Sequence, residues 1–380
     1  MKTIQLIFLL FLIYPCIYGQ QYVYNAGNLQ LHNKGSLGFH TGLINDGSFD
    51  KNKGIIGFYN EEQIIISGKS APSFYDLELA VENDLYIKTS ITIVNSLSFI
   101  YGNIIARRND KNVYVTLMPK AFYEGESHHT KIDGHAAING QKEFLFPVGY
   151  DDRLRPLQIR FVDGNFFGRC EYFHENPSNP ESTYESFDTT KKAADLGDIN
   201  TEEFWNLTTS GVIQISLSLD SNSERTKLVE DLSQVTIVGW SKEKRQWEDL
   251  GNSGYEGIPS EGFVTSSRFN ANNFEIFTTA LLFASDVMLP GNYALSPNGD
   301  GINDALKFSI TDRSPNNHLM IFDRTGKLVY EKSDYRDEFT GNANRGRSIN
   351  GGKLAEDTYF YLLELKDLNI KHKGYFYIAK

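Results

Sequence analysis

Two groups of side chains in this chain have the types that bind metals. Glu126, His128, His129, Asp133 and His135 gather nitrogen and carboxylate ligands suited to zinc or copper in one short stretch. Their spacing matches no closed metal site and no H-E-x-x-H helix, so the stretch reads as a solvated loop. Asn298, Asp300, Asn303 and Asp304 place amide and carboxylate oxygens on a glycine-containing loop, which is the ligand chemistry of Ca²⁺. No acidic bidentate residue follows at the EF-hand offset, so these residues read first as Asx turns, with calcium the one candidate cofactor.

Catalytic patterns are absent from the sequence. Asp and Glu are plentiful enough for a glycosidase, but nothing marks one pair above the others. There is no G-x-S-x-G elbow, Walker loop, Rossmann glycine pattern or Cys-His arrangement. Trp205, Trp240 and Trp247 have the chemistry to stack on sugar rings, although a tryptophan in a β-sandwich is more commonly buried. No catalytic residue is assigned, and the chain is read as a non-enzyme.

The elements that would position these groups are strands. Residues 21 to about 118 contain short apolar runs, among them Leu29-Gln30-Leu31, Ile55-Ile56-Gly57-Phe58, Ile64-Ile65-Ile66, Leu85-Tyr86-Ile87, Ile91-Thr92-Ile93 and Leu97-Ser98-Phe99. Asn25, Asn45-Asp46-Gly47, Asn60, Asn83-Asp84, Asn95 and Gly102-Asn103 stand between runs of this kind. Short strands with one or two inward apolar groups and Asn or Gly at the corners are what a parallel β-solenoid requires of its coils. From Glu143 to Ile159 the texture is strand and turn, as a cap over the last coil would be. Residues 175 to 192 are rich in Asn, Pro, Ser, Thr and Glu and read as a loop or linker. Val212 to Leu219, Val235 to Trp240 and Phe274 to Phe283 then alternate as in a β-sandwich.

In the last ninety or so residues the period is two again. Leu306, Phe308 and Ile310 alternate with polar residues, as do Leu319 and Ile321, then Leu328 and Tyr330 after the turn Thr325-Gly326, then Tyr359, Tyr361 and Leu363, and Tyr375, Tyr377 and Ala379. Five or more strands separated by Gly, Asn and Asp clusters predict a compact antiparallel sandwich.

These residues carry a resemblance. Ser296 to Asp304, with Pro297, Asn298, Gly299, Asp300, Gly301, Asn303 and Asp304, is similar to the T-P-N-G-D-G-x-N-D opening of the Bacteroidetes gliding motility-associated C-terminal domain, the type B sorting domain of the type IX secretion system. Met320 to Glu331, with Phe322, Arg324 and Gly326, resembles that family's I-F-N-R-W-G-x-x-V-F-E. Leu354 to Tyr361, with Tyr359 and Tyr361, resembles L-P-x-G-T-Y-F-Y, and Gly374 lies in the closing strand. The chain departs from the pattern at Thr325, where Trp is usual, at Phe339-Thr340-Gly341, where W-D-G is usual, and at Glu356-Asp357, where a small residue and Gly are usual. With two large aromatics lost, Phe322, Phe339 and the tyrosines are expected to refill the core. A weaker resemblance runs from Gly54 to Leu77, where "Q-x-I-x-G" and "F-x-N-L" phrases are similar to the N-terminal part of many Bacteroidetes surface proteins.

The other end of the chain agrees with export. Met1-Lys2, the apolar run Ile4 to Tyr14 and Gly19 before Gln20 read as a cleavable secretory leader. Pro15 and Tyr14 do not suit Cys16 as a lipidation site. Removal of Cys16 leaves Cys170 alone, so burial must stabilise the mature chain in place of a disulfide, and aromatics at 13% of the sequence supply contact area. No later run approaches the ~20 apolar residues of a membrane helix, so no transmembrane segment is expected in the mature chain. A net charge of −11 argues against nucleic acid as a partner.

The expected organisation is therefore all-β: a signal peptide at 1–19, a β-solenoid-like region at 20–118, a β-rich cap at 119–175, a loop or linker at 176–194, a β-sandwich module at 195–285, and an Ig-like antiparallel sandwich serving as sorting domain at 286–380. The resemblance implies the type IX secretion machinery at the outer membrane as partner, passage through the periplasm, and release or display at the cell surface. Adhesion, gliding or binding of a surface or glycan ligand is the expected role. A secreted polysaccharide-acting enzyme and a structural subunit of a surface complex are the alternatives.

Overall fold

The structure, a computed structural model, describes residues 22–183, 185–193, 196–220, 232–282, 294–308, 311, 314–345, 352–366 and 370–379. The expected leader lies outside the described residues. The described chain is nearly all β.

Residues 22 to 139 wind as a β-solenoid of about six turns. Each turn gives one strand to each of two parallel sheets. Tyr22–Asn25, Gly42–Asn45, Ile64–Ser67, Leu85–Ile87, Ile104–Ala106 and Ile132–Asp133 stack in the first sheet. Ser36–Phe39, Ile55–Asn60, Ser73–Val81, Ile91–Tyr101, Val115–Leu117 and Ala136–Asn139 stack in the second. Like residues fall over like: Leu43 opposite Ile66, Ile64 opposite Leu85, Leu85 opposite Ile104. All five are fully buried, and Phe39 stacks on Phe58 at 5.0 Å between ring centroids.

The corners show why asparagine and glycine punctuate this region. Asn25 Nδ2 donates to Asn45 Oδ1 at 2.7 Å, and Asn45 Nδ2 donates to the Ser70 carbonyl at 2.9 Å, so one amide hands its bond to the next turn. Asn45 is fully buried, and an unsatisfied amide there would cost about 1–3 kcal/mol. Gly102 sits at φ +82°, and a Cβ on it would fall 1.8 Å from the Val81 carbonyl oxygen of the turn before. Only glycine fits that approach.

Two strands, Ser73–Val81 and Ile91–Tyr101, are longer than the short runs of the sequence predict. Ile91–Tyr101 is one strand of 11 residues, where Asn95 and Ser96 look like a break between two. Both donate to Asp76 Oδ1 at 2.6 Å, and the ladder with Ser73–Val81 shifts register there, so the strand runs on through an irregularity.

The parallel stack ends at Ala136–Asn139, whose far edge pairs antiparallel with Phe167–Phe173. That ladder carries the second sheet onward through Phe204–Thr209, Phe274–Leu282, Val235–Ser241 and Trp247–Gly251. A facing sheet runs Glu143–Phe146, Leu157–Phe161, Val212–Asp220, Glu261–Thr265 and Gly254–Ile258. Strands from 119–175 and from 195–285 thus lie side by side in the same two ladders. The expected linker at 176–194 does not interrupt the sheet, because hydrogen bonding between Phe167–Phe173 and Phe204–Thr209 spans it.

Two buried polar networks lie in this sandwich. Arg155 Nε donates to Glu203 Oε2 at 2.8 Å, Tyr172 Oη donates to the same oxygen at 2.8 Å, and Trp205 Nε1 donates to the Arg155 carbonyl at 2.9 Å. Burial alone would lower the Arg155 pKa, but the charge of Glu203 outweighs it and holds the guanidinium ionised. Nearer the solenoid, His135 Nδ1 lies 3.3 Å from Glu171 Oε2, and Arg108 pairs with Asp133. Burial pushes Glu171 up to about 8 against the pull of Arg108, and burial together with the charge of Arg169 pushes His135 down to about 4.

The C-terminal sheet has five strands in the order Ala294–Leu295, Ile370–Ile378, Asp357–Leu365, Asn317–Phe322, Leu328–Ser333. All neighbours are antiparallel except Ala294–Leu295, which runs parallel to Ile370–Ile378. Leu306 and Phe308 are fully buried against this sheet but belong to no strand, and Ile310 lies outside the described residues. The segment opposite them, which holds Asp334 and Asp337 at positive φ, turns too often to offer a ladder. Single bonds replace it: Leu306 N–H to the Phe339 carbonyl at 3.0 Å, and Phe308 N–H to Asp337 Oδ1 at 3.0 Å.

Candidate functional site

The motif residues of the C-terminal region fall into three places. The first is the exposed loop after Leu295. Asp304 accepts the Gly299 N–H on Oδ1 and the Gly301 N–H on Oδ2, both at 2.8 Å, and these bonds hold its carboxyl below the usual range. Asn298 Oδ1 accepts the Asp300 N–H at 3.0 Å, Asn298 Nδ2 donates to Asp300 Oδ2 at 2.9 Å, and Asp300 Oδ1 accepts the Ile302 N–H at 2.8 Å. Asn303 takes φ +54°, and its carbonyl accepts the Ser296 N–H at 2.8 Å. The side chains of Asn298, Asp300 and Asp304 are thus engaged with the loop's own N–H groups, and among the described residues no group of three His, Cys, Asp or Glu is placed to hold a metal ion. Pro297 lies beside Gly341, where a Cβ would fall 3.4 Å from the proline Cγ.

The second place is the hairpin turn 323–327. Asp323 Oδ1 accepts the Thr325 N–H at 2.9 Å, the Thr325 hydroxyl at 2.6 Å and the Lys327 N–H at 3.0 Å, and Gly326 sits at φ +81°. Asp323 therefore belongs to the turn and not to a strand. Arg324 reaches out to Asp357 at 3.4 Å.

The third place is the sheet itself, where alternation sends motif residues to opposite faces. Tyr359, Tyr361, Phe376 and Ile378 point into the core with Leu319 and Ile321. Gly374 lies opposite Tyr361, whose hydroxyl bonds His372 Nε2 at 2.9 Å. Phe339 is buried and packs on Tyr330 at 4.7 Å, as a replacement for a lost tryptophan should. Phe322 does not join it. Its neighbour Ile321 takes the inward position, and a period of two leaves Phe322 half-buried on the outer face.

That outer face has a pattern the motif reading missed. Phe322, Phe360 and Tyr375 are cross-strand partners in one row over three strands, with Tyr377 beside them. Phe360 is 47% exposed, Tyr375 60% and Tyr377 42%. The next row places Leu362 opposite Lys373. Beyond it the face turns ionic: His318 Nε2 lies 3.0 Å from Glu331 Oε1, and Lys371 Nζ lies 2.7 Å from Glu364 Oε1. The signal was present in the unbroken aromatic run Tyr359-Phe360-Tyr361, which must put one ring outside if two are inside.

Elsewhere the structure separates what the sequence grouped. Glu126, His128 and His129 sit on an exposed turn, with His128 Nδ1 accepting the Leu154 N–H at 3.2 Å, while Asp133 pairs with Arg108 and buried His135 faces Glu171. Trp205, Trp240 and Trp247 are buried. Among the described residues no helix is long and apolar enough to cross a membrane.

With this geometry in hand, comparison with known families is informative for the C-terminal region. Residues 289–378 match the family model described as the CHU_C Type IX secretion signal domain. This is the C-terminal sorting domain of gliding motility-associated proteins, and it supports export by the type IX secretion system. The match covers under a quarter of the chain and assigns nothing to the solenoid or the middle sandwich. No curated protein and no solved structure matches the chain.

Proposed function

We propose that this chain is a non-catalytic passenger, carried through the periplasm and across the outer membrane by the type IX machinery, and released or displayed there to bind a surface or glycan ligand. The observation that carries the reading is the type IX secretion signal domain at 289–378, in which the loop, the hairpin turn and the inward tyrosines all serve one small folded body. A folded sheet of this kind presents a fixed surface that a transport partner can recognise without chemistry by the passenger. The solenoid supplies what an adhesive or gliding-related stalk needs, an extended stack whose outer faces are free to vary while Asn and Gly hold the corners.

Deletion of residues 286–380 tests it. The truncated chain should remain in the periplasm, and the same residues appended to an unrelated reporter should carry the reporter outside. Normal amounts of truncated chain at the surface or in the medium would overturn the proposal. Screening the mature chain on a polysaccharide panel separates a binding protein from a hydrolase: retention without bond cleavage is expected.

A further inference from the structure

We infer that the outer aromatic face of the C-terminal sheet is the surface by which the type IX machinery grips this chain; the inference rests on the export reading above. The motif residues divide by their physical work. Asp304, Asp323, Gly326, Tyr359, Tyr361 and Gly374 close turns or fill the core, which accounts for them by folding alone. Phe322 and Phe360 lie in the same motif strands and contribute little to that core. With Tyr375 they form a continuous row on the solvent side, where exposed aromatic rings cost solubility unless a partner covers them.

The partner is a protein of the secretion machinery with an apolar centre and a carboxylate beside it. Apolar character follows from the row itself. The carboxylate follows from Lys373, which stands next to Tyr375 on the same face and opposite Leu362. Lys371, farther along, is already neutralised by Glu364. An aromatic centre with charge at its rim is the usual composition of a protein interface.

The test uses the full chain in a bacterium that carries the machinery, with two variants, Phe360→Thr/Tyr375→Thr and Lys373→Glu, and Tyr255→Thr in the middle sandwich as a control for loss of an exposed ring. Threonine keeps β-propensity, and Lys373→Glu leaves every ring in place. The exported fraction should fall about tenfold or more for both variants, equivalent to a lost 1.4 kcal/mol or more of recognition, while Tyr255→Thr is exported normally and the retained chains melt as the parent does. Normal export of Lys373→Glu together with normal export or misfolding of the aromatic variant would overturn the inference. So would a parent chain that is a dimer in solution and becomes monomeric in the aromatic variant, since the face would then be covered by a second copy. Export of the 286–380 deletion would instead remove the export reading itself.

Discussion

Gly374 lies directly opposite Tyr361 in the neighbouring strand, and a Cβ on Gly374 would fall 2.4 Å from the tyrosine hydroxyl oxygen. The ring cannot swing aside easily: it is 2% exposed, packs on Phe308 at 5.0 Å and bonds His372. Gly374→Ala should therefore destabilise the C-terminal domain by about 1–3 kcal/mol. Urea unfolding of the full chain followed by protease sensitivity of this domain reads the effect, and an unchanged midpoint would count against the contact.

The loop that opens the domain is closed by the two carboxylate oxygens of Asp304 on the Gly299 and Gly301 N–H groups. Asp304→Ala should loosen it and raise proteolysis between 298 and 304, while Asp304→Asn, which keeps one acceptor, should do so less. Chelation by EGTA should leave the melting temperature of the parent unchanged. A fall of several degrees that calcium restores would reassign these oxygens to a cation.

His135 and Glu171 make opposite demands on pH. The Glu171 pKa is raised from 4.5 to about 8, so its stabilising share is complete below 4.5 and is lost as pH rises through 8. The His135 pKa is lowered from 6.5 to about 4, so its share is complete above 6.5 and is lost as pH falls through 4. Between 4.5 and 6.5 the two slopes oppose and cancel, and the Glu171 slope stands alone from 6.5 to 8. Glu171→Gln should therefore remove a decline of up to about 1.4 kcal/mol per pH unit on the alkaline side and uncover the His135 slope below it. Denaturant titrations at a series of pH values check this, and parallel curves for parent and variant would refute it.

Arg155 and Glu203 are a fully desolvated pair. Arg155→Met or Glu203→Gln alone should cost about 3–5 kcal/mol by stranding the partner, whereas replacing both costs less than the sum. A double-mutant cycle by equilibrium unfolding measures the difference, and simple additivity would show that the two groups act independently.

Much of this was legible from local pattern. The solenoid could be read because its rules are short-range: an inward apolar group every second residue, and Asn or Gly where the chain turns a corner. The break read at Asn95 is a register shift within one strand, where Asp76, nineteen and twenty residues away, accepts from both Asn95 and Ser96. The same limit applies to the group of Glu126, His128, His129, Asp133 and His135. Closeness along the chain says nothing of Arg108 or Glu171, which draw Asp133 and His135 inward and leave the rest on a turn.

The sequence by itself determined the β character of the chain, its turns and the motif that marks 289–378 for export, since each depends on a residue's own backbone preference or on its near neighbours. Tertiary structure decided which sheet each strand enters and which side of it each ring occupies. Strands before and after 176–194 join the same two sheets of one sandwich, and Phe322 faces outward while Phe339 fills the core. A period of two fixes that neighbouring residues take opposite faces, but only the contacts made by distant segments choose which face is inside.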